Sequence, residues 1–158
     1  MLLVLTTAQA RAQSVAPGAR APEIDLPTLT GGRVKLSALR GHPVLVTFWG
    51  TYCPPCREEF PELVQAYRKL DQRGLYVLGV NGRDQEFRTK DVQKFVDEFS
   101  VPFTIALDTR GKSRRDFRIF GLPTTVFIDT GGIIRVIHRG PIDRAGLDTG
   151  LAAILPPP

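Results

Sequence analysis

The stretch from Val44 to Gln72 constrains the fold more than any other part of the chain. It opens with Val44 to Phe48, an almost unbroken run of β-branched and aromatic residues that is typical of a strand buried on both faces. A helix is predicted from Pro54 to Gln72, because apolar residues recur there every three or four positions. Pro54 and Pro55 suit its first turn, where backbone N–H groups have no partner within the helix.

The remaining elements predict an α/β fold with a mixed central sheet flanked by helices. A second buried strand from Tyr76 to Val80 requires a parallel pair with a right-handed crossover. Thr130, Gly131 and Gly132 form a turn between the last two strands, which should therefore pair antiparallel. The other predicted elements are a helix over 91–99, a strand over 104–107, a helix over 113–120, strands over 124–129 and 133–138, and a helix over 143–155.

The N-terminal part predicts three regions. Residues 1–12 resemble the back half of a secretory signal whose start lies upstream, because Leu2 to Leu5 is apolar and Ala8-Gln9-Ala10 fits a cleavage pattern. A tail with a chance resemblance is the alternative. The sequence predicts a linker over residues 13–27 and the folded domain over residues 28–158. The domain should begin with a hairpin around residues 30–32.

The chain has two cysteines, Cys53 and Cys56, at the predicted start of the first helix. Two cysteines exclude a disulfide-dense scaffold and a four-cysteine zinc site. The helix N-terminus favours a thiolate on Cys53, and the thiolate is the species that attacks a disulfide. Cys56, one turn later, would resolve the mixed disulfide. Half of a metal site and a structural disulfide are the alternatives.

The residues between the cysteines bear on the direction of electron flow. Pro54 and Pro55 lack backbone N–H groups, so two donors that could stabilise a Cys53 thiolate are absent. A less stabilised thiolate makes the reduced form a stronger reductant. The sequence therefore predicts a reducing protein.

The segment from Phe48 to Pro61, FWGTYCPPCREEFP, resembles the active-site signature of TlpA/ResA-like thioredoxin-fold proteins. The resemblance extends over about residues 17–155 and includes the later run Gly121-Leu122-Pro123-Thr124-Thr125. It implies a thioredoxin-like fold with an added N-terminal hairpin and an insertion after the second core strand. Members of the family are extracytoplasmic thiol–disulfide oxidoreductases, usually reductants, of the periplasm or of the outer face of the bacterial membrane.

The resemblance also implies partners and cofactors. Several family members reduce the haem-attachment cysteines of apocytochrome c, and others serve copper-site assembly. A membrane-embedded thiol reductant usually recharges them, and no cofactor beyond the redox-active disulfide is required. We expect a monomer that is secreted or tethered. An oxidase or isomerase of the same fold is an alternative, as is a copper-binding module that uses both cysteines and His138.

Carried over by residue, the resemblance assigns attack to Cys53 and resolution to Cys56. Pro123 matches the family's cis-proline, which leaves the backbone of Leu122 able to pair with an extended substrate. Trp49 would pack beside the site. Tyr52 stands where the family often has Trp or His, and this difference would alter the fit of the substrate.

Many family members have a buried acid that shuttles protons to the resolving thiol. Asp84, three residues after Asn81, is the best match, and Glu86 is the competitor. A surface-loop carboxylate without such a role is the alternative reading of Asp84.

The formal net charge of +5 is carried mostly by arginine. One cluster lies between Arg110 and Arg118. It predicts a solvated helix face or, as the alternative, a docking patch for an acidic protein or anionic lipid. Nucleic-acid binding is not expected, because Phe117 and Phe120 are spaced for core packing rather than base stacking.

Overall fold

The computed structural model describes residues 14–86 and 88–157. They form a thioredoxin-like α/β fold around a mixed sheet, as the sequence predicts. The strands are β1 (Asp25–Pro27), β2 (Arg33–Lys35), β3 (Val44–Trp49), β4 (Tyr76–Asn81), β5 (Thr104–Leu107), β6 (Thr124–Ile128) and β7 (Ile134–Arg139). The helices are α1 (Pro54–Leu70), α2 (Thr89–Glu98), α3 (Lys112–Asp116) and α4 (Arg144–Ala152).

Strand β3 lies at the centre of the sheet, whose order is β5-β4-β3-β6-β7. It pairs parallel with β4 and antiparallel with β6, and all six of its residues are buried. Neighbouring strands on both sides and packed layers above and below explain why its sequence is apolar throughout rather than alternating. The chain leaves β3 at Trp49, and Cys53 lies beyond the carboxyl end of this central strand.

Different elements pack against the two faces of the sheet. Leu45 and Trp49 of β3 belong to a core that also contains the apolar sides of α1, α2 and α4. Val46 and Phe48 point the other way, into a core completed by the N-terminal hairpin and by Phe117 after α3. The period-two alternation of β3 therefore divides the interior into two layers.

Helix α1 runs unbroken through Pro61. The sequence predicts a kink or a break there, because proline cannot donate a hydrogen bond to the carbonyl of Arg57. Pro61 lies on the exposed side of the helix, so the carbonyl that loses its partner can be solvated. Among the described residues, no helix has the length and apolar character needed to cross a membrane.

Residues 18–27, which the sequence assigns to a linker, are packed onto the domain. Ile24 is fully buried and Leu26 is nearly so. The Gly18 N–H donates to the Ile134 carbonyl at 2.8 Å, and the Ala21 N–H donates to the Gly132 carbonyl at 3.0 Å. Strands β1 and β2 pair antiparallel as the predicted hairpin. The predicted signal segment, residues 1–12, lies outside the described residues.

A left-handed turn and a close helix–strand contact shape the C-terminal part of the domain. Helix α3 ends at Asp116, earlier than predicted, because Arg118 adopts a left-handed conformation with φ of 52° and turns the chain. At the other end of the sheet, Gly150 of α4 lies against the ring of Phe127, and a Cβ atom there would stand 2.3 Å from Cζ. Only glycine allows α4 to approach β6 so closely.

Candidate active site

The cysteine pair lies at the junction between β3 and α1. Cys53 is the N-cap residue of the helix, and its Sγ accepts a hydrogen bond from the Cys56 N–H at 3.3 Å. The two residues are joined by a disulfide, with 5.3 Å between their Cα atoms. Cys56 is fully buried, whereas Cys53 keeps 6% of its surface exposed. Cys53 is therefore the sulfur that a second molecule can reach, which fits its predicted role as nucleophile.

The positions of Pro54 and Pro55 in the first turn of α1 decide which of them removes an N–H donor from Cys53. A cap side chain accepts from the N–H of the second or third helical residue. Pro54 and Pro55 occupy the first and second positions, and Cys56 occupies the third. The proline that removes a usable donor from Cys53 is therefore Pro55, whereas the missing N–H of Pro54 lies at a position that does not normally bond to the cap.

A groove of about 350 Å³ opens beside Cys53. Tyr52, Pro55, Phe120 and Leu122 are among the residues that line it. The Leu122–Pro123 peptide bond is cis, as the resemblance implies. The sequence-predicted residues Tyr52, Cys53 and Leu122 thus meet at one surface, although they come from different parts of the chain.

Trp49 lies beneath the site rather than in the groove. It has no exposed surface and packs against Phe60 and Phe95, with ring centroids 4.7 and 4.5 Å away. Its Nε1 is buried without a hydrogen-bond partner among the described residues. Trp49 therefore supports the end of β3 from inside the core.

The two acids that the sequence offers for proton transfer have different surroundings. Asp84 lies in the turn of residues 83–85 and forms an ion pair with Arg114, at 3.4 Å, on the rim of the groove. Glu86 is buried and accepts hydrogen bonds from the Thr51 N–H at 2.6 Å, the Thr51 hydroxyl at 2.5 Å and the Asn81 amide at 3.0 Å. Glu86 thereby fastens the loop before Cys53 to the end of β4.

The groove rim is also tied together by polar contacts. The Tyr52 hydroxyl hydrogen-bonds to the side chain of Gln85. Burial, followed by the nearby charge of Glu86, raises the pKa of Tyr52. The phenol is therefore neutral at physiological pH.

Sequence reasoning missed a third acid, Glu59. It has 2% of its surface exposed, and its carboxylate accepts hydrogen bonds from the Ile142 N–H at 3.0 Å and the Thr47 hydroxyl at 3.2 Å. Burial raises its pKa to about 7, against the opposing effect of these two bonds. Glu59 stands three residues after Cys56, a spacing that places both side chains on one face of α1.

The described residues contain no group of three or more His, Cys, Asp or Glu side chains that could hold a metal ion. His138 instead contacts the Pro141 carbonyl through Nε2, at 3.1 Å. The structure therefore does not assemble the set of two cysteines and a histidine that the copper-binding alternative requires.

Together, the thioredoxin-like sheet, the cysteine pair capping α1 and the neighbouring cis-proline define a thioredoxin-fold thiol–disulfide oxidoreductase. Comparison with known proteins identifies the family. Residues 17–137 match the AhpC/TSA family, and the chain belongs to it.

Individual relatives are named for the same fold or for the same class of activity. The chain is 33% identical to the thioredoxin-like protein YneN of Bacillus subtilis strain 168, over 85% of this chain and 78% of YneN. It is 32% identical to the thiol-disulfide oxidoreductase ResA of Geobacillus kaustophilus, over 90% of this chain and 80% of that protein. A Chlorobium tepidum structure described as a thiol:disulfide interchange protein DsbE superposes with a TM-score of 0.80 at 34% identity, covering 89% of this chain and 98% of that one.

Proposed function

We propose that the protein reduces disulfides in protein substrates outside the cytoplasm. The observation that carries the direction is the start of α1, where Pro55 removes the N–H of the second helical residue. Within the described residues, the Cys56 N–H is the backbone donor that remains at the Cys53 sulfur. Weak stabilisation of the Cys53 thiolate leaves the dithiol form high in free energy, so it gives up its electrons readily.

In the proposed reaction, the Cys53 thiolate attacks one sulfur of the substrate disulfide, and the other substrate sulfur leaves as a thiolate. The Cys56 thiolate then attacks Cys53 and displaces the second substrate thiolate. Two electrons pass from the dithiol to the substrate, and the enzyme ends with the disulfide seen here. Leu122, which lines the same groove as Cys53, would hold the substrate backbone.

Cys56 must lose its proton before it attacks, although it is fully buried. Glu59 suits this task, because it shares a helix face with Cys56 and its pKa of about 7 lets it take up and release a proton near neutral pH. Asp84 stays a prediction for the same role. The pH profile of the resolution step separates them, because only the variant of the true shuttle, Glu59→Gln or Asp84→Asn, will displace that profile.

The location and partners are part of the proposal. The signal-like character of residues 1–12 supports export to the periplasm or to the outer face of the bacterial membrane. Because Cys53 and Cys56 are the two cysteines of the chain, reducing equivalents must come from another protein, for which we propose a membrane-embedded thiol reductant. Apocytochrome c cysteines or copper-site cysteines are the proposed substrates of a monomeric enzyme.

Equilibration with dithiothreitol and glutathione buffers tests the direction. We expect a midpoint near that of thioredoxin, about −270 mV. A midpoint near about −120 mV, typical of a strong oxidant, would refute the reductase proposal and favour an oxidase of the same fold. Substrates can be identified with Cys56→Ser, which should stall as a mixed disulfide through Cys53, whereas Cys53→Ser should trap nothing.

A further inference from the structure

The groove at Cys53 presents apolar side chains to solvent. Tyr52 is 49% exposed and Phe120 is 91% exposed, and they are the large hydrophobic side chains that the described residues leave exposed. Both line the same groove as the reactive Cys53. Exposed apolar groups concentrated at one place mark an interaction surface, because leaving them in water is unfavourable.

Positive charge begins at the groove lining with Arg114 and continues away from it, since Arg110 and Lys112 line a separate pocket beside the N-terminal hairpin. The segment from Arg110 to Arg118, here called the basic segment, contains five basic residues and one acidic residue, Asp116. Lys112 pairs with Asp116, and Arg114 pairs with Asp84. Among the described residues, no carboxylate lies within ion-pair distance of the other three, which are all exposed. The basic segment therefore keeps an uncompensated positive charge.

The basic segment and the groove wall are continuous. Arg114 lines the groove directly. The left-handed turn at Arg118 leads the chain straight into Ile119, Phe120 and Leu122, which line the groove together with Tyr52. A chain segment lying across Cys53 would thus meet apolar side chains in the groove, with the basic segment continuing from the groove lining at Arg114.

We propose that this surface selects protein substrates whose reactive cysteine is flanked by an apolar residue and by acidic residues. The inference rests on the proposed function and names the substrate class of the same site. The apolar side chain would pack between Tyr52 and Phe120, and the acidic residues would face the basic segment. Charge complementarity of this kind raises the rate of encounter and disfavours partners of the same sign.

Synthetic peptides test the inference. Each carries one cysteine in a mixed disulfide with a nitrothiobenzoate group, next to a leucine, and is flanked by two glutamates or by two lysines. The Cys53 thiolate bonds to the peptide sulfur and releases the coloured nitrothiobenzoate thiolate. Cys56 then closes the enzyme disulfide and releases the peptide thiol. We expect the glutamate peptide to react about tenfold faster at low salt, with the difference shrinking towards 1 M NaCl.

Two charge variants supply the matched comparison. Arg115→Gln with Arg118→Asn removes two charges from the basic segment, and asparagine tolerates the left-handed backbone at position 118. Arg68→Gln with Lys69→Gln removes two charges from α1, about 21 Å along the helix from its start. The first pair should lower the glutamate-to-lysine rate ratio several-fold, and the second should leave it unchanged.

The apolar part has its own measurement. Replacing the peptide leucine with glycine should slow the wild-type enzyme several-fold and slow Phe120→Ser much less, because the side chain that leucine contacts is then gone. Equal rates for both charged peptides, or an equal effect of both charge variants, would overturn the inference. In that case, wild-type reduction of hydroxyethyl disulfide shows that the proposed function stands. If this small disulfide is also left unreduced, both proposals fail.

Discussion

Restoring the missing donor at the start of α1 should make the protein less reducing. Pro55→Ala places an N–H at the second helical position, where a cap side chain can accept it. A hydrogen bond to a charged acceptor contributes about 1.5 kcal/mol. Because about 1.4 kcal/mol corresponds to 30 mV for this two-electron couple, the midpoint should rise by about 30 mV.

The sign follows from which redox form gains the bond. The reduced enzyme carries the Cys53 thiolate, a strong acceptor, whereas a disulfide sulfur is a weak one. The new donor therefore stabilises the reduced form and raises the potential. The substitution also changes the entropy of the unfolded chain, but this cancels because both redox forms are folded.

Pro54→Ala is the matched control, because its restored N–H lies at the first helical position. We expect its midpoint to stay within about 10 mV of wild type, since that position does not normally donate to the cap. Equilibration with dithiothreitol buffers, followed by alkylation and gel shift, measures both variants. Equal shifts for the two, or a lower potential for Pro55→Ala, would refute this account of the helix start.

Three further predictions concern the surroundings of the site. Native Glu59 keeps its proton up to about pH 7, against 4.5 for an ordinary glutamate, so its contribution to stability is complete below pH 4.5 and is lost as the pH rises to 7. In urea titrations, the free energy of unfolding of Glu59→Gln should therefore rise by up to about 3 kcal/mol relative to that of wild type as the pH increases from 4.5 to 7. A difference that stays constant with pH would contradict the assignment. Glu86→Ala should cost about 2–4 kcal/mol by orphaning the buried donors of Thr51 and Asn81, and should slow attack by Cys53; unchanged kinetics would exclude a positioning role. Gly150→Ala should cost about 1–3 kcal/mol in a thermal or urea melt by forcing a Cβ into the Phe127 ring, and a wild-type melting curve would show that α4 can move away.

The layout of the fold was predictable because its strongest signals are local. The apolar run of β3, the helical spacing of α1 and the glycine turn before β7 identify their elements without knowledge of neighbours. The ends of elements were less predictable. Helix α3 ends at Asp116 because the left-handed backbone of Arg118 turns the chain, and no pattern in the sequence predicts that turn.

Long-range contacts account for what sequence reasoning missed. The segment before residue 28 is short and poor in pattern, yet Ile24 is buried against the sheet. Glu59 follows Arg57 and Glu58 and looks like one more charge on a solvated helix, although its position four residues before the apolar Leu63 was a signal. Its burial depends on Ile142, which lies 83 positions later in the chain.

The difference in exposure between the two sulfurs has a kinetic consequence. Cys56 is fully buried, and Cys53 lines one groove. The electron donor and the electron acceptor must therefore bind at the same surface, one after the other. The steady state should then be ping-pong, with parallel double-reciprocal plots. An excess of either partner should inhibit by occupying the enzyme form meant for the other. Flux through the enzyme would therefore depend on the balance of donor and acceptor concentrations as well as on their total.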